Sequence, residues 1–138
     1  MASNLKMLDI SSTKIRELPD EIRTLKKLEI IDAHCSRLTG IRSLPTSIRT
    51  LHLGNCDDVE ALPELPSSLQ FLHVELWGLH VTPNLVNLVN LQSLRCYQIP
   101  DNMNQIILSD IAKSSKLQRL DFGWSNIMTL PKEIDALS

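Results

Sequence analysis

Three histidines, His34, His52 and His73, are the residues of this sequence whose side chains are best suited to act together. Imidazole nitrogens bind transition metals and transfer protons near neutral pH. Their spacing would place them on neighbouring strands, which lie about 4.8 Å apart in a sheet. No cysteine or carboxylate pair completes a ligand set at a recognised spacing. We therefore expect solvated histidines, and neither a metal site nor a cofactor.

The cysteines and serines do not predict a catalytic site. Cys35, Cys56 and Cys96 are an odd number with separations unlike those of paired metal ligands, so we expect each to fill a small apolar slot in a reduced, intracellular protein. The serine pairs at 67–68 and 114–115 have no histidine motif nearby, and the aspartates at 57–58 suit a solvated turn. The chain also lacks the G-x-x-x-x-G-K-[ST] phosphate-binding sequence, and we predict that it is not an enzyme.

The composition narrows the possible partners. The 138 residues carry a net charge of -2 and are 43% hydrophobic but only 4% aromatic, so leucine and isoleucine must form the core. There is no basic excess to attract nucleic acid, no apolar run of the roughly 20 residues that span a membrane, and no signal-peptide pattern at the start. We therefore expect neither nucleic acid nor membrane to be bound.

An internal repeat gives the fold. The segment LKMLDISSTKIRELP at the start of the chain matches LQRLDFGWSNIMTLP near its end, position by position. The same L-x-x-L-x-L frame begins at six places spaced 20 to 26 residues apart: Leu5, Leu28, Ile48, Leu69, Leu91 and Leu117. Such units fit the leucine-rich-repeat pattern, so residues 1–138 are predicted to form one domain of about six repeats.

The spacing also predicts an α/β leucine-rich-repeat solenoid. The fourth and sixth positions of each unit point to the same side of a strand, so the units must stack to bury them in a parallel sheet on the concave face. The chain then returns along the convex face through short helices, 3-10 turns and extended segments. Pro19 and Pro131 suit helix starts, and 104–113 has helical spacing, whereas the Leu-Pro pairs at 62–68 favour an extended return.

Two turns after the strands are predicted to be irregular. The position that usually holds a small polar residue facing inward holds Thr13, Ser36, Cys56 and Ser125 in four units. In the other two units it holds Trp77 and Ile99, which cannot satisfy loop backbone groups in the same way. We therefore expect irregular backbone around 76–83 and 97–103.

The outward strand positions form columns on the predicted concave face. Aromatic and charged side chains gather toward one end of these columns, and this mixture is typical of protein-interface hot spots. The candidate binding residues are Phe71, His73, Glu75, Arg95, Tyr97, Arg119 and Trp124.

Three stretches give the sequence a family resemblance: LKMLDISSTKIRELPDEIRTLKKLEIID, LHLGNCDDVEALPELPSSLQFL and LDFGWSNIMTLPKEIDAL. The chain resembles the leucine-rich-repeat region of plant intracellular nucleotide-binding leucine-rich-repeat receptors. The resemblance implies a module of plant innate immunity that senses pathogen effectors or holds a switch domain inactive. It also implies a protein as the partner, either an effector or a neighbouring receptor domain, and a location in the cytoplasm or nucleus. The segment LPELPSSLQFLHV is also similar to the repeats of secreted bacterial effectors, which bind host proteins, so that alternative stays open.

The ends of the chain suggest a further alternative. Leu5 opens the first strand pattern four residues from the start, and the chain stops at Ser138 inside the sixth return. Solenoids need polar caps on their terminal repeats, so we expect exposed apolar end faces that favour self-association. An inactive receptor fragment is the corresponding functional alternative.

Overall fold

The computed structural model describes residues 4–112, 114–123 and 127–130, and these form a six-stranded parallel sheet. The strands neighbour one another in chain order. They are β1 (Met7–Asp9), β2 (Ile30–Asp32), β3 (Thr50–Leu53), β4 (Phe71–Glu75), β5 (Ser93–Tyr97) and β6 (Arg119–Asp121). One strand per predicted unit, all parallel, confirms the solenoid expected from the repeat.

The strand register keeps equivalent repeat positions in line across the sheet. Leu51 of β3 pairs with Ile31 on one side and with Leu72 on the other. Ile31 and Leu51 have no solvent exposure, and Leu72 is 2% exposed. The predicted inward positions are therefore the core positions, because alternating side chains of a strand point to opposite faces.

The core runs through the stack as one apolar layer behind the sheet. Its largest fully buried side chains are all leucine or isoleucine: Leu28, Ile31, Leu38, Ile48, Leu51, Leu53, Leu69, Leu76, Leu88, Leu91, Leu94 and Ile107. Aliphatic side chains at equivalent positions of successive units belong to one buried cluster. Each unit is thus stabilised mainly by its two neighbours, as in other stacked repeats.

The return segments follow the proline pattern. A 3-10 helix, Asp20–Thr24, begins directly after Pro19, and an α-helix, α1 (Asp101–Ile111), begins directly after Pro100. The predicted start of α1 at 104 was three residues too late, because Pro100 and Asp101 form a favourable first turn. The return at 62–68 contains no helix, as expected, and neither does the return at 44–48. The predicted helix start at Pro131 lies outside the described residues.

In most units, a residue with left-handed backbone conformation follows shortly after the strand and bends the chain. Ser12, Cys35, Asn55 and Gln98 have φ between 53° and 57°. Below this bend, Thr13 Oγ1 donates to the Ile10 carbonyl and Cys56 Sγ donates to the Ala33 carbonyl, so small polar side chains satisfy the loop as predicted.

The β4 unit lacks this bend. The chain stays extended through Glu75, and Leu76, which is fully buried, takes the inward place. Trp77 was expected to face inward, but its side chain is 59% exposed because the missing bend shifts the inward position by one residue. Ile99 keeps the inward place and is buried, and Gln98 before it has the usual left-handed φ, so the irregular bend predicted around 97–103 is not found. The irregular backbone predicted around 76–83 is therefore confirmed.

A second set of polar side chains joins the units just before each strand. Ser47 Oγ donates to the Leu28 carbonyl at 2.6 Å, and Ser68 Oγ donates to the Ile48 carbonyl at 2.6 Å. These contacts explain the serines after the Leu-Pro pairs. The prolines keep the return extended, and the serine then ties it to the preceding unit.

The cysteines differ in environment. Cys56 and Cys96 are buried, and burial raises the pKa of the Cys96 thiol to about 12. Cys35 is exposed, so the expectation that every cysteine fills an apolar slot is wrong for this residue. Its left-handed φ of 54° places it in the bend, where its side chain points away from the core.

Neither helix in the described part of the chain has the length and apolar character of a membrane-spanning segment.

Candidate functional site: the concave face of the sheet

The concave face is the side of the sheet that lies opposite the core, and it is formed by the side chains that point away from the core. Its central column comprises Asp9, Asp32, His52, His73, Arg95 and Asp121, which the strand register places side by side. One flanking column comprises Met7, Ile30, Thr50, Phe71, Ser93 and Arg119. Glu75 and Tyr97 pair in the other flanking column. The columns predicted from the repeat are therefore present.

A polar network lies at the β5–β6 end of this face. Arg95 Nε and Nη2 donate to Tyr97 Oη at 3.3 and 3.2 Å, and the Tyr97 hydroxyl donates to Asp121 Oδ2. Arg95 Nε is also 3.9 Å from the same carboxylate oxygen. The three half-exposed side chains hold one another in place, so this end of the face presents a phenol and a guanidinium in a fixed arrangement.

The Tyr97 hydroxyl is the main reason for the low pKa of Asp121. The pKa of this carboxyl is lowered first by that hydrogen bond, then by the Gly123 N–H, and further by the charges of Arg95 and Arg119. A group with a depressed folded-state pKa contributes stability above its unfolded pKa, and this contribution is lost as pH falls through the folded pKa.

We therefore expect Tyr97→Phe to raise the pKa of Asp121 toward the ordinary carboxyl value. The variant should also lose less stability than the wild type on acidification through this range. Carbon-detected NMR titration of the aspartate carboxyls measures the pKa directly. Asp9 is the internal control, because its low pKa depends on Ser11 and should stay the same. An unchanged Asp121 titration in Tyr97→Phe would contradict the assigned network.

A stack of imidazoles crosses the middle of the face. The His34 and His52 rings are stacked with centroids 5.0 Å apart, and the His52 and His73 rings are stacked at 4.3 Å. The His73 ring then meets Tyr97 edge-on at 5.6 Å, and His73 Nε2 lies 3.1 Å from Glu75 Oε1. Partial burial, followed by the charge of His73, lowers the pKa of His52, which favours its neutral form.

Asp32 joins the first two histidines of the stack. Its Oδ1 lies 2.6 Å from His34 Nδ1 and 3.4 Å from His52 Nδ1. The same oxygen accepts the His34 backbone N–H at 3.2 Å. Within the described ranges, Asp32, His34 and His52 form a group that brings a carboxylate oxygen and two imidazoles together. This group was not predicted from the sequence, because a carboxylate two residues from one histidine and twenty from the other fits no standard ligand spacing.

The structure brings together most of the predicted binding residues. His73, Glu75, Arg95 and Tyr97 are linked by the contacts above. Phe71 is 43% exposed in the flanking column, and Arg119 is exposed at the β6 edge. Trp124 lies outside the described residues. Asp121 was not among the predicted binding residues, although its place in the central column was a usable signal.

Comparison with known proteins identifies related sequences. The family model described as Leucine Rich Repeat matches residues 4–25. The chain is 28% identical over 100 residues to Protein SUPPRESSOR OF npr1-1, CONSTITUTIVE 1 of Arabidopsis thaliana, an alignment that covers 69% of this chain and 7% of that protein. It is 28% identical over 139 residues to Disease resistance protein RPS4B of Arabidopsis thaliana, covering 95% of this chain and 11% of that protein. The chain thus spans only a small part of these relatives.

Proposed function

Since this chain is a leucine-rich-repeat region of the kind found in plant nucleotide-binding leucine-rich-repeat disease-resistance proteins, we propose that it is a protein-recognition module of plant innate immunity. Its role is to sense pathogen effectors or to hold the switch domain of its receptor inactive. The observation that carries this proposal is the ordered Arg95–Tyr97–Asp121 network on the concave face.

The chemistry of this face suits binding of another protein. Tyrosine and arginine are enriched among the few residues that provide most of the energy of an interface. Tyr97 and Arg95 are ordered by their mutual contacts before any partner arrives, so binding costs less side-chain entropy. Phe71, in the flanking column, supplies exposed apolar area beside His73 and Arg95, with which it lines a shallow depression.

Two kinds of partner follow from the proposal, and one binding experiment compares them. The chain is titrated with a panel of effector proteins and, separately, with the nucleotide-binding domain of the same receptor. For whichever partner binds, we expect Tyr97→Ala and Arg95→Ala each to weaken affinity by about 30-fold or more, the factor that corresponds to a hot-spot loss of 2 kcal/mol. Isothermal titration calorimetry or surface plasmon resonance measures the change in affinity.

A matched control uses an exposed residue away from the sheet. Val89 is 57% exposed in a return segment, and Val89→Ser should leave affinity unchanged. Thermal unfolding of each variant shows that the fold is retained. The proposal fails if neither partner class binds, or if both concave-face variants bind as the wild type does.

A further inference from the structure

We propose that Asp32, His34 and His52 form a binding site for a divalent transition-metal ion of the Zn²⁺ type on the concave face. The proposal does not depend on the proposed recognition function, because it concerns the chain's own donor atoms. It also replaces the expectation of solvated, metal-free histidines drawn from sequence spacing.

The donor set is chemically suitable. Imidazole nitrogen and carboxylate oxygen are both ordinary Zn²⁺ ligands, at about 2.0–2.2 Å from the metal. Two histidines and one carboxylate with a further position open to solvent is a common arrangement of three protein ligands. The three side chains are each between about one-fifth and two-fifths exposed, with relative exposures of 38% for His34, 31% for His52 and 22% for Asp32. Solvent therefore reaches the remaining coordination position.

The distances are close to those that a bound metal requires. Donors of a tetrahedral Zn²⁺ site lie about 3.3 Å apart, given the usual metal–ligand bond lengths. One donor atom from each residue lies within 4.8 Å of the other two, and the His52–Asp32 pair at 3.4 Å already fits. The His34–Asp32 pair, at 2.6 Å, must open slightly to admit an ion. One of the two stacked rings must also turn, because a metal lies in the plane of the imidazole that binds it and the His34 and His52 rings are only 24° from parallel.

The backbone around the group is well fixed. The Ala33 N–H donates to the His52 carbonyl at 2.9 Å, and the Cys35 N–H donates to the Gly54 carbonyl at 2.7 Å, which locks the two ligand-bearing segments together. A Cβ at Gly54 would lie 2.9 Å from His52 Nε2, so the absence of a side chain there lets the ring lie against the backbone beside His34. His73 stacks on the far side of the His52 ring.

The test is calorimetric titration of the full chain, prepared without a polyhistidine tag, with Zn²⁺. We expect saturation at a single equivalent. Asp32→Asn, His34→Gln and His52→Gln should each weaken binding by at least about tenfold, the effect that even supporting groups around a metal have. Two matched controls should bind as the wild type does. Cys35→Ser removes the exposed thiol beside His34, and His80→Gln removes an exposed histidine elsewhere.

A second measurement does not depend on how the variants fold. In NMR spectra of the wild-type protein, Zn²⁺ should shift the ring signals of His34 and His52 and leave those of His80 unchanged. The proposal is overturned if Zn²⁺ shows no saturable binding. It is equally overturned if the three ligand variants retain wild-type affinity, if Cys35→Ser abolishes binding, or if the His34 and His52 signals do not move.

Discussion

Leu51→Ala should lower the free energy of unfolding by about 2–5 kcal/mol, the usual cost of removing a fully buried leucine side chain. Leu51 has no solvent exposure and lies at the centre of the sheet between Ile31 and Leu72. The rigid strands on both sides cannot move in to fill the cavity. Because each repeat is stabilised by its neighbours, one substitution weakens two inter-repeat contacts at once.

Urea unfolding followed by circular dichroism measures this loss. Val89→Ala is the matched control, since Val89 is also aliphatic but 57% exposed, and it should change the stability by less than about 0.5 kcal/mol. If Leu51→Ala loses only as much stability as Val89→Ala, the inward column does not form a packed core. The predicted effect is large relative to the total stability of a domain, which is about 5–15 kcal/mol.

Gly78→Ala should also destabilise the protein, by about 1–3 kcal/mol, for a steric reason. A Cβ on Gly78 would lie 2.3 Å from the carbonyl oxygen of Asp57 in the preceding repeat. The obstructing atom belongs to the backbone and cannot rotate away, so the two loops must separate. The nearby bond from the His80 N–H to the Glu60 carbonyl, at 2.7 Å, would be strained as they do.

Gly40→Ala provides the opposite expectation with the same chemical change. A Cβ there meets no atom within 4 Å, and the described glycines have no positive φ. Alanine restricts the unfolded chain, so this variant should gain about 0.4–1 kcal/mol in stability. Both variants are compared by the same urea titration. If Gly78→Ala is as stable as Gly40→Ala, the close approach of the two loops is absent in solution.

The repeat register was accessible from the sequence because it depends on local rules. An L-x-x-L-x-L frame that recurs every 20 to 26 residues leaves few ways to bury the inward side chains other than stacking in parallel. The central column from Asp9 to Asp121 followed from that frame alone, and the extended returns followed from the Leu-Pro pairs. The start of α1 was predicted three residues too late, since the apolar spacing does not mark the first turn that Pro100 and Asp101 form.

The features that were not predicted from the sequence depend on the direction of a side chain, and the position of its residue in the repeat does not determine that direction. The exposure of Trp77 depended on one missing left-handed residue in the β4 unit, which changed the inward position from 77 to 76. No composition rule marks that change, because Leu76 and Trp77 are both apolar. The surrounding packing decided it, since the leucine fits the space between neighbouring repeats.

By itself, the sequence determined the fold and the order of side chains across the concave face, because a short repeat with fixed inward positions specifies both. Only the tertiary structure decided which of those side chains touch. It placed Asp32 Oδ1 between two histidine rings and joined Arg95, Tyr97 and Asp121 into one network. The reason is that neighbours across parallel strands are twenty or more residues apart in the chain, so their contacts depend on side-chain rotation that no local spacing records.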